Sequence, residues 1–336
     1  MKDLVTPYIS IIIPSYNSAH TIGRTLEGIN SQSIKDKILE IIIVDSSDDL
    51  VTKSFLNSLE SSVVKVIHSG IKVMPAKQRN IGAFAAKGEL LVFIDSDAIP
   101  NTDWLVHINN AYSSGFTVGG GSYLIDKQQA HIKMVVAEYY FELGEFIPKG
   151  KIRPKRVVPS CNLFCERDFF LQIEGFPIIR ASEDSLFCLN VNKYKSLYFV
   201  PDAKVTHIFR ENKTGALNNL KLLGKYVIIY RKIFYPGIYN RKILLIFLLP
   251  IIVCSKFFRV YFRTLLSGWS SFKYLSRSVK ELLLCTTSWT YGLWCGIFHK
   301  DQMESPEPDK LSFELLSGNK DDQGLNIKLD LKGSDI

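Results

Sequence analysis

Asp95 and Asp97 stand two residues apart at the end of the apolar run Leu90 to Ile94, inside the stretch Gly88 to Pro100. On an extended chain residues i and i+2 share a face, so both carboxylates can reach one hard cation while Ser96 turns away. That chemistry suits a divalent metal and a diphosphate, although an isolated Asp-x-Asp also serves as a solvated turn after a strand. Other groups must decide between the two. Asp45 follows the run Leu39 to Val44, and Pro14-Ser15-Tyr16-Asn17 follows Tyr8 to Ile13. Asp45 can accept hydrogen bonds from a base or ribose, Tyr16 can flank a ring, and Arg79 can offer a planar fork to phosphate oxygens. Glu183 and Asp184 follow Ser182, where carboxylates favour a helix dipole and can also take a proton. His207 is a lone histidine, structural or ligating.

The elements that position these groups alternate between strand and helix. Tyr8 to Ile13 reads as a strand stopped by Pro14, and Thr21 to Gln32 has helical periodicity. Leu39 to Val44 and Val63 to Ile67 read as further strands around a helix from Leu50 to Glu60. Pro75 suits the first turn of a helix through Lys87, which Gly88 closes before the Asp95 strand. Such alternation predicts a parallel sheet with right-handed crossovers, with ligands gathered beyond the carboxyl ends of the strands. A helix opens at Asp103, and Phe116 to Gly121 reads as a strand whose three glycines permit close backbone approach. Later come a strand from Ser160 to Phe164, a helix from Arg167 to Glu174, and a turn at Gly175-Phe176-Pro177. A helix capped by Ser182 then runs to about Lys193, followed by strands at Tyr198 to Asp202 and Lys204 to His207.

The composition narrows the function classes. At 336 residues and 46% apolar, the chain can build a substantial core. Six cysteines with no leader-like start fit reduced thiols, and Cys161 and Cys165 lack the partners a zinc site needs. No Gly-x-Gly-x-x-Gly or Walker loop is present, which counts against a dinucleotide fold or an NTPase. The formal charge of +8 is concentrated: residues 221–300 hold thirteen Lys or Arg against one acid, and 301–336 are acidic. Because the basic block is also rich in Leu, Ile, Phe, Tyr and Trp, it suits an anionic membrane surface and not nucleic acid.

Taken together, the motifs resemble the family 2 glycosyltransferases of the GT-A fold, over roughly residues 8–210. They are Ile-Pro-Ser-Tyr-Asn at 13–17, Gln32, Val-Asp-Ser-Ser at 44–47, Arg79-Asn80-x-Gly82, Asp-Ser-Asp at 95–97, Gly-Phe at 175–176, Glu-Asp at 183–184, and Pro201 followed by His207. The resemblance implies an α/β fold with a mostly parallel, Rossmann-like sheet flanked by helices. It also implies inverting transfer of a sugar from a nucleotide-diphosphate donor to a hydroxyl acceptor, with Mn2+ or Mg2+ at the diphosphate. Pro14, Tyr16, Asp45 and Arg79 look like nucleotide contacts and Asp95 like a ribose or metal contact. Asp97 looks like the main metal ligand, His207 like the ligand that completes the site, and Asp184, beside Glu183, like the general base. Ser46-Ser47 departs from the Asp-Gly of many relatives and leaves the base preference open. Without a Gln-x-x-Arg-Trp motif, processive polymer synthesis is disfavoured. A non-catalytic nucleotide-sugar scaffold and a nucleotidyltransferase on a similar sheet remain the rival readings.

On this basis residues 1–115 form the nucleotide-sugar half and 116–215 the acceptor half. Residues 216–300 form a membrane-associated helical region, and 301–336 a disordered acidic tail. Ile243 to Phe258, broken by Pro250, and Leu282 to Phe298 are each shorter than the ~20 residues of a spanning helix. The basic connection between them would have to be translocated if both spanned. Helices lying shallowly on the cytoplasmic face are therefore expected, with two short transmembrane helices as the alternative. Trp269, Trp289, Tyr291 and Trp294 suit the interface. The acceptor can then be lipid-linked.

Overall fold

The computed structural model describes residues 7–299, so the acidic tail expected at 301–336 lies outside the described residues. Among the described residues nine strands form one sheet: β1 Ile9–Ser15, β2 Ile38–Asp45, β3 Val64–His68, β4 Leu90–Ile94, β5 Ala98–Pro100, β6 Val118–Ile125, β7 Arg153–Lys155, β8 Asn162–Glu166 and β9 Leu197–His207. Their order is β3-β2-β1-β4-β8-β6-β9-β5, with β7 paired on β9. From β3 to β4 every pairing is parallel, as the strand and helix alternation requires. Beyond β4 the sheet turns mixed, because β8 runs antiparallel to both β4 and β6 while β6 and β9 are parallel.

All seven residues of β1 and all five of β4 are buried, the pattern of strands covered on both faces. Burying each isoleucine of β1 contributes about 1.5–3 kcal/mol relative to exposure. Helix Pro75–Ala85 packs on β1 and β2. Gly82 allows that approach, since a Cβ there would lie 2.6 Å from Ile12 Cγ2. The glycines of β6 act similarly: a Cβ on Gly121 would meet Ala203 O at 2.0 Å. The two strand segments expected near residues 198–207 are one strand, β9, with an irregularity opposite Gly121 and Ser122.

Three long helices follow the sheet. Lys213–Phe234 and Val279–Phe298 lie against each other, with Gly224 facing Trp289 O and Gly292 facing Lys221 O, where an added Cβ would fall about 2 Å from each carbonyl. Trp289 is therefore inside, against Phe141, and not at an interface as its type suggested. Helix Lys242–Ser267 corrects a second expectation, because its 26 residues run on through Pro250 and past Arg259. Among the described residues it is the one helix long and apolar enough to cross a membrane by length and composition, and 11% of its most apolar window is buried. Ile243, Phe247, Ile251, Phe258, Phe262 and Leu266 on it are exposed.

Candidate functional site

The strand registers bring the singled-out residues to one edge. Ser15 pairs with Asp45, and Asp45 with His68, so three polar side chains line up abreast at the carboxyl ends of β1, β2 and β3. Asp45 is 1% exposed and accepts from Ser15 Oγ at 2.9 Å and Ser47 Oγ at 2.6 Å, while His68 Nδ1 lies 3.1 Å from its other oxygen. The Asp45 carboxylate is thus already engaged, and His68 is the group it presents outward. A cavity of about 260 Å³ beside it is lined by Asp45, Ser47, Lys53, Asn57, His68 and Gly70. Pro14 is buried in β1. The Tyr16 hydroxyl donates to Asp48 Oδ2 at 2.8 Å, and Lys72 covers the Tyr16 ring 3.9 Å from its centre. Asn17 holds a left-handed backbone, φ 50°, and its side chain closes on Asp48 and on the Asp49 N–H.

Arg79 is 3% exposed, and its fork closes on two carboxylates: Nη2 donates to Asp95 Oδ1 at 2.7 Å and Nη1 to Glu183 Oε1 at 2.9 Å. Burial alone would lower the Arg79 pKa, but the Asp95 and Glu183 charges outweigh it and raise it. Charges buried this deeply need such pairing. The residue read from sequence as a phosphate contact joins Asp95 to the acidic pair here. Asp95 and Asp97 do not face one partner, since Asp95 turns to Arg79 and Asp97 to His207.

Asp97 Oδ1 lies 3.7 Å from His207 Nε2, too far for a hydrogen bond, and is buried with no hydrogen-bond partner. His207 Nδ1 is in the same condition. The backbone fixes this pair, because Ala98 of β5 is in register with His207 and Ile208 N donates to Asp97 O at 2.8 Å. Burial raises the Asp97 pKa and Asp95 adds to the rise, while His207 and Arg210 oppose it. An orphaned carboxylate oxygen aimed at an imidazole is a donor set that fits a divalent cation. Among the described residues no three His, Cys, Asp or Glu side chains converge closely enough to hold an ion alone.

Asp184 sits in the first turn of helix Glu183–Val191. Burial pushes its pKa up to about 7 and the Glu183 charge adds to this, against the pull of the Ser185 N–H and of Arg79. Ser185 N donates to its Oδ1 at 2.6 Å. Ser182 stands at the N-cap position, yet its side chain makes no capping bond and its backbone is left-handed, φ 68°. The expected cap is replaced by a strained residue next to the acidic pair.

Sequence reasoning quoted Asn80 only as part of a motif and missed Gln78, on the other side of Arg79. Gln78 Nε2 donates to Ser15 O, Val44 O and Ser46 Oγ, tying β1 to β2. Asn80 donates to Phe176 O and accepts from Phe176 N, fixing the Gly175-Phe176 turn. The readable signal was the run of four polar residues, Lys77 to Asn80, between buried Ala76 and Ile81, the last three of them buried themselves. His68 was also missed, although it ends β3 as Asp45 ends β2. Gln32 has a supporting role, donating to Gly28 O and Asn101 O and accepting from Leu105 N.

Residues 10–165 match the family model described as "Glycosyl transferase family 2". The chain is 25% identical over 174 residues to Glycosyltransferase AglE of Haloferax volcanii, covering 51% of this chain and 56% of that protein. It is 26% identical over 220 residues to the GalNAc(5)-diNAcBac-PP-undecaprenol beta-1,3-glucosyltransferase of Campylobacter jejuni, covering 63% of this chain and 69% of the relative. The chain thus spans little more than half of the first of these relatives and about two thirds of the second. Its fold is similar to that of the mannosyltransferase PcManGT from Pyrobaculum calidifontis, solved in complex with GDP-Man and Mn2+, with a TM-score of 0.56, 17% identity and 88% of each chain covered.

Proposed function

The chain belongs to the family 2 glycosyltransferases, and on that premise we propose that it moves a sugar from a nucleotide-diphosphate donor to a hydroxyl acceptor with inversion. The observation that carries this reading is the Arg79 bridge, which brings Asp95 beside Asp97 and His207 into one constellation with Glu183 and Asp184. At its two ends stand the groups the reaction needs: carboxylates that would hold a cation for the departing diphosphate, and a base for a weak nucleophile.

In this reaction Asp184 takes the proton of the acceptor hydroxyl. The freed oxygen bonds to the anomeric carbon as that carbon's bond to the diphosphate oxygen breaks, and the nucleoside diphosphate leaves with the electron pair. A carboxylate with a pKa of about 7 is suited to that task near neutral pH. The charge of Glu183, held by Arg79, helps raise the pKa of its neighbour. Asp97 and His207, with Asp95 nearby, would hold Mn2+ or Mg2+, which supplies positive charge for the leaving diphosphate. The row Ser15, Asp45 and His68 and the cavity beside it would take the nucleobase, with Tyr16 and Pro14 at its margin.

Helix Lys242–Ser267 and the basic block around it would rest on an anionic membrane surface, at its cytoplasmic face, and the acceptor would be lipid-linked. The PP-undecaprenol in the name of the Campylobacter jejuni relative supports this. The reading is tested by offering UDP-, GDP- and dTDP-sugars with Mn2+ or Mg2+ and following thermal stabilisation and transfer to polyprenyl-diphosphate-linked sugars. One donor class should stabilise the protein and be turned over. Stabilisation without turnover of any donor on any acceptor would leave only a nucleotide-sugar-binding protein.

A further inference from the structure

Residues 149–156 read Lys-Gly-Lys-Ile-Arg-Pro-Lys-Arg, five cations in eight residues with no acid, and the sugar-transfer site uses none of them. The stretch forms β7 and pairs with Leu197–Phe199, whereas His207 ends the same strand β9 eight residues further on. It is tied to the end of the apolar helix Lys242–Ser267. Lys149 Nζ donates to Leu266 O at 2.6 Å, and Glu145 joins Lys155 on one side to Arg263, 3.2 Å away, on the other. Leu266 and Trp269 are 77% and 74% exposed there, and Ile152 is also exposed. Against β7 lies a cavity of about 460 Å³ whose lining includes Lys155, Arg156, Asn192 and Ser196. Cations beside exposed Leu and Trp are the chemistry of a headgroup interface, where phosphates meet charge and side chains enter the acyl boundary.

From this arrangement we infer that residues 149–156 are a second contact with an anionic bilayer, made by the catalytic domain itself through lipid phosphate groups. The inference rests on the membrane placement proposed for helix Lys242–Ser267. With one contact on the helix and another on the domain, the tilt of the sheet over the bilayer is fixed, and with it the height at which the site meets an acceptor.

The test is co-sedimentation of the full chain with phosphatidylcholine vesicles, with and without phosphatidylglycerol, at low and high salt. Replacing Lys151 and Arg156 by Gln leaves the Lys149 tie, the Lys155 pair and the Arg153 packing on Phe199 intact. Partition onto anionic vesicles should fall about fivefold per residue, roughly twenty-five-fold in all at low salt, with no change on neutral vesicles. Charge reversal by Lys151→Glu and Arg156→Glu should lower it as well, and both variants should melt like the parent. Unchanged anionic partition in the Gln variant overturns the inference. So does equal binding of the parent protein to both vesicle types, which leaves the helix placement standing. Binding of the parent to neither vesicle type removes the helix placement too. A loss of affinity for duplex RNA with vesicle binding intact would reassign the stretch to nucleic acid and overturn the inference.

Discussion

Arg79 Nη1 lies 2.9 Å from Glu183 Oε1, joining residues 104 positions apart in the chain. Because Nη2 of the same guanidinium holds Asp95, one side chain links Asp95 to Glu183. Removing the cation leaves two carboxylates facing each other. Arg79→Ala should therefore destabilise the protein by about 3 kcal/mol, toward the low end for a broken buried pair, because Asp95 and Glu183 remain 27% and 15% exposed. Arg79→Lys should recover only part of this, since an ammonium cannot span both partners in the geometry of the fork. Denaturant melts of the three proteins check the order.

Asp184→Asn should leave donor affinity intact while kcat falls by roughly 10²–10⁴, the range for loss of a positioned base. Glu183→Gln should cost less. In the parent protein kcat should decline about tenfold per pH unit below roughly pH 7, because only the ionised Asp184 can accept the proton. Transfer assays across pH on the parent and both variants test the assignment, and a more damaging Glu183→Gln would move the base to Glu183.

The same residue predicts a stability effect of opposite sense. Its folded pKa of about 7 lies above the 3.8 of an ordinary aspartate, so between those values the folded state binds more protons than the unfolded. Stability should fall as pH rises through that window. Asp184→Asn removes the penalty, so the variant should melt higher than the parent at pH 8 and show no such gain at pH 3.

Asp97→Ala and His207→Ala should each weaken or abolish the dependence of donor binding on Mn2+ or Mg2+. Titration calorimetry with and without chelator reads this directly. Metal-dependent affinity preserved in Asp97→Ala would place the ion elsewhere.

Gly292→Ala should destabilise the packing of Val279–Phe298 on Lys213–Phe234, because its Cβ would sit 2.0 Å from Lys221 O. Overpacking of this kind costs about 1–3 kcal/mol. Gly237→Ala, where a Cβ meets nothing within 4 Å, should change the melting temperature far less.

The first half of the fold was readable because β1, β2 and β4 are short apolar runs closed by polar residues, and that pattern specifies buried parallel strands. The order of β8, β6 and β9 was not, since antiparallel insertion of β8 is decided by tertiary pairing that no local pattern records. Asp97 and His207 were both legible as types, but their approach depends on the register of β5 with β9, two segments more than a hundred residues apart. The engagement of Asp45 by Ser15 and His68 arises in the same way from the β1, β2 and β3 register. For Arg79, residue type suggested a planar fork for phosphate oxygens; that the fork is buried and pairs with Asp95 and Glu183 depends on contacts no local pattern records. The apolar stretch after Ile243 was ended at Phe258, before Arg259, although the helix continues past Arg259 as it does through Pro250.

Helix Pro75–Ala85 grips three parts of the molecule with three successive side chains: Gln78 the ends of β1 and β2, Arg79 the pair Asp95 and Glu183, and Asn80 the Phe176 turn. Mechanically it is a rigid rod with clamps at one level, and the parts it holds share one frame of reference. Displacement of Glu183 relative to Asp95 must break at least one clamp. Stiffening segments outside that frame should therefore leave the spacing of Asp95 and Glu183 constant.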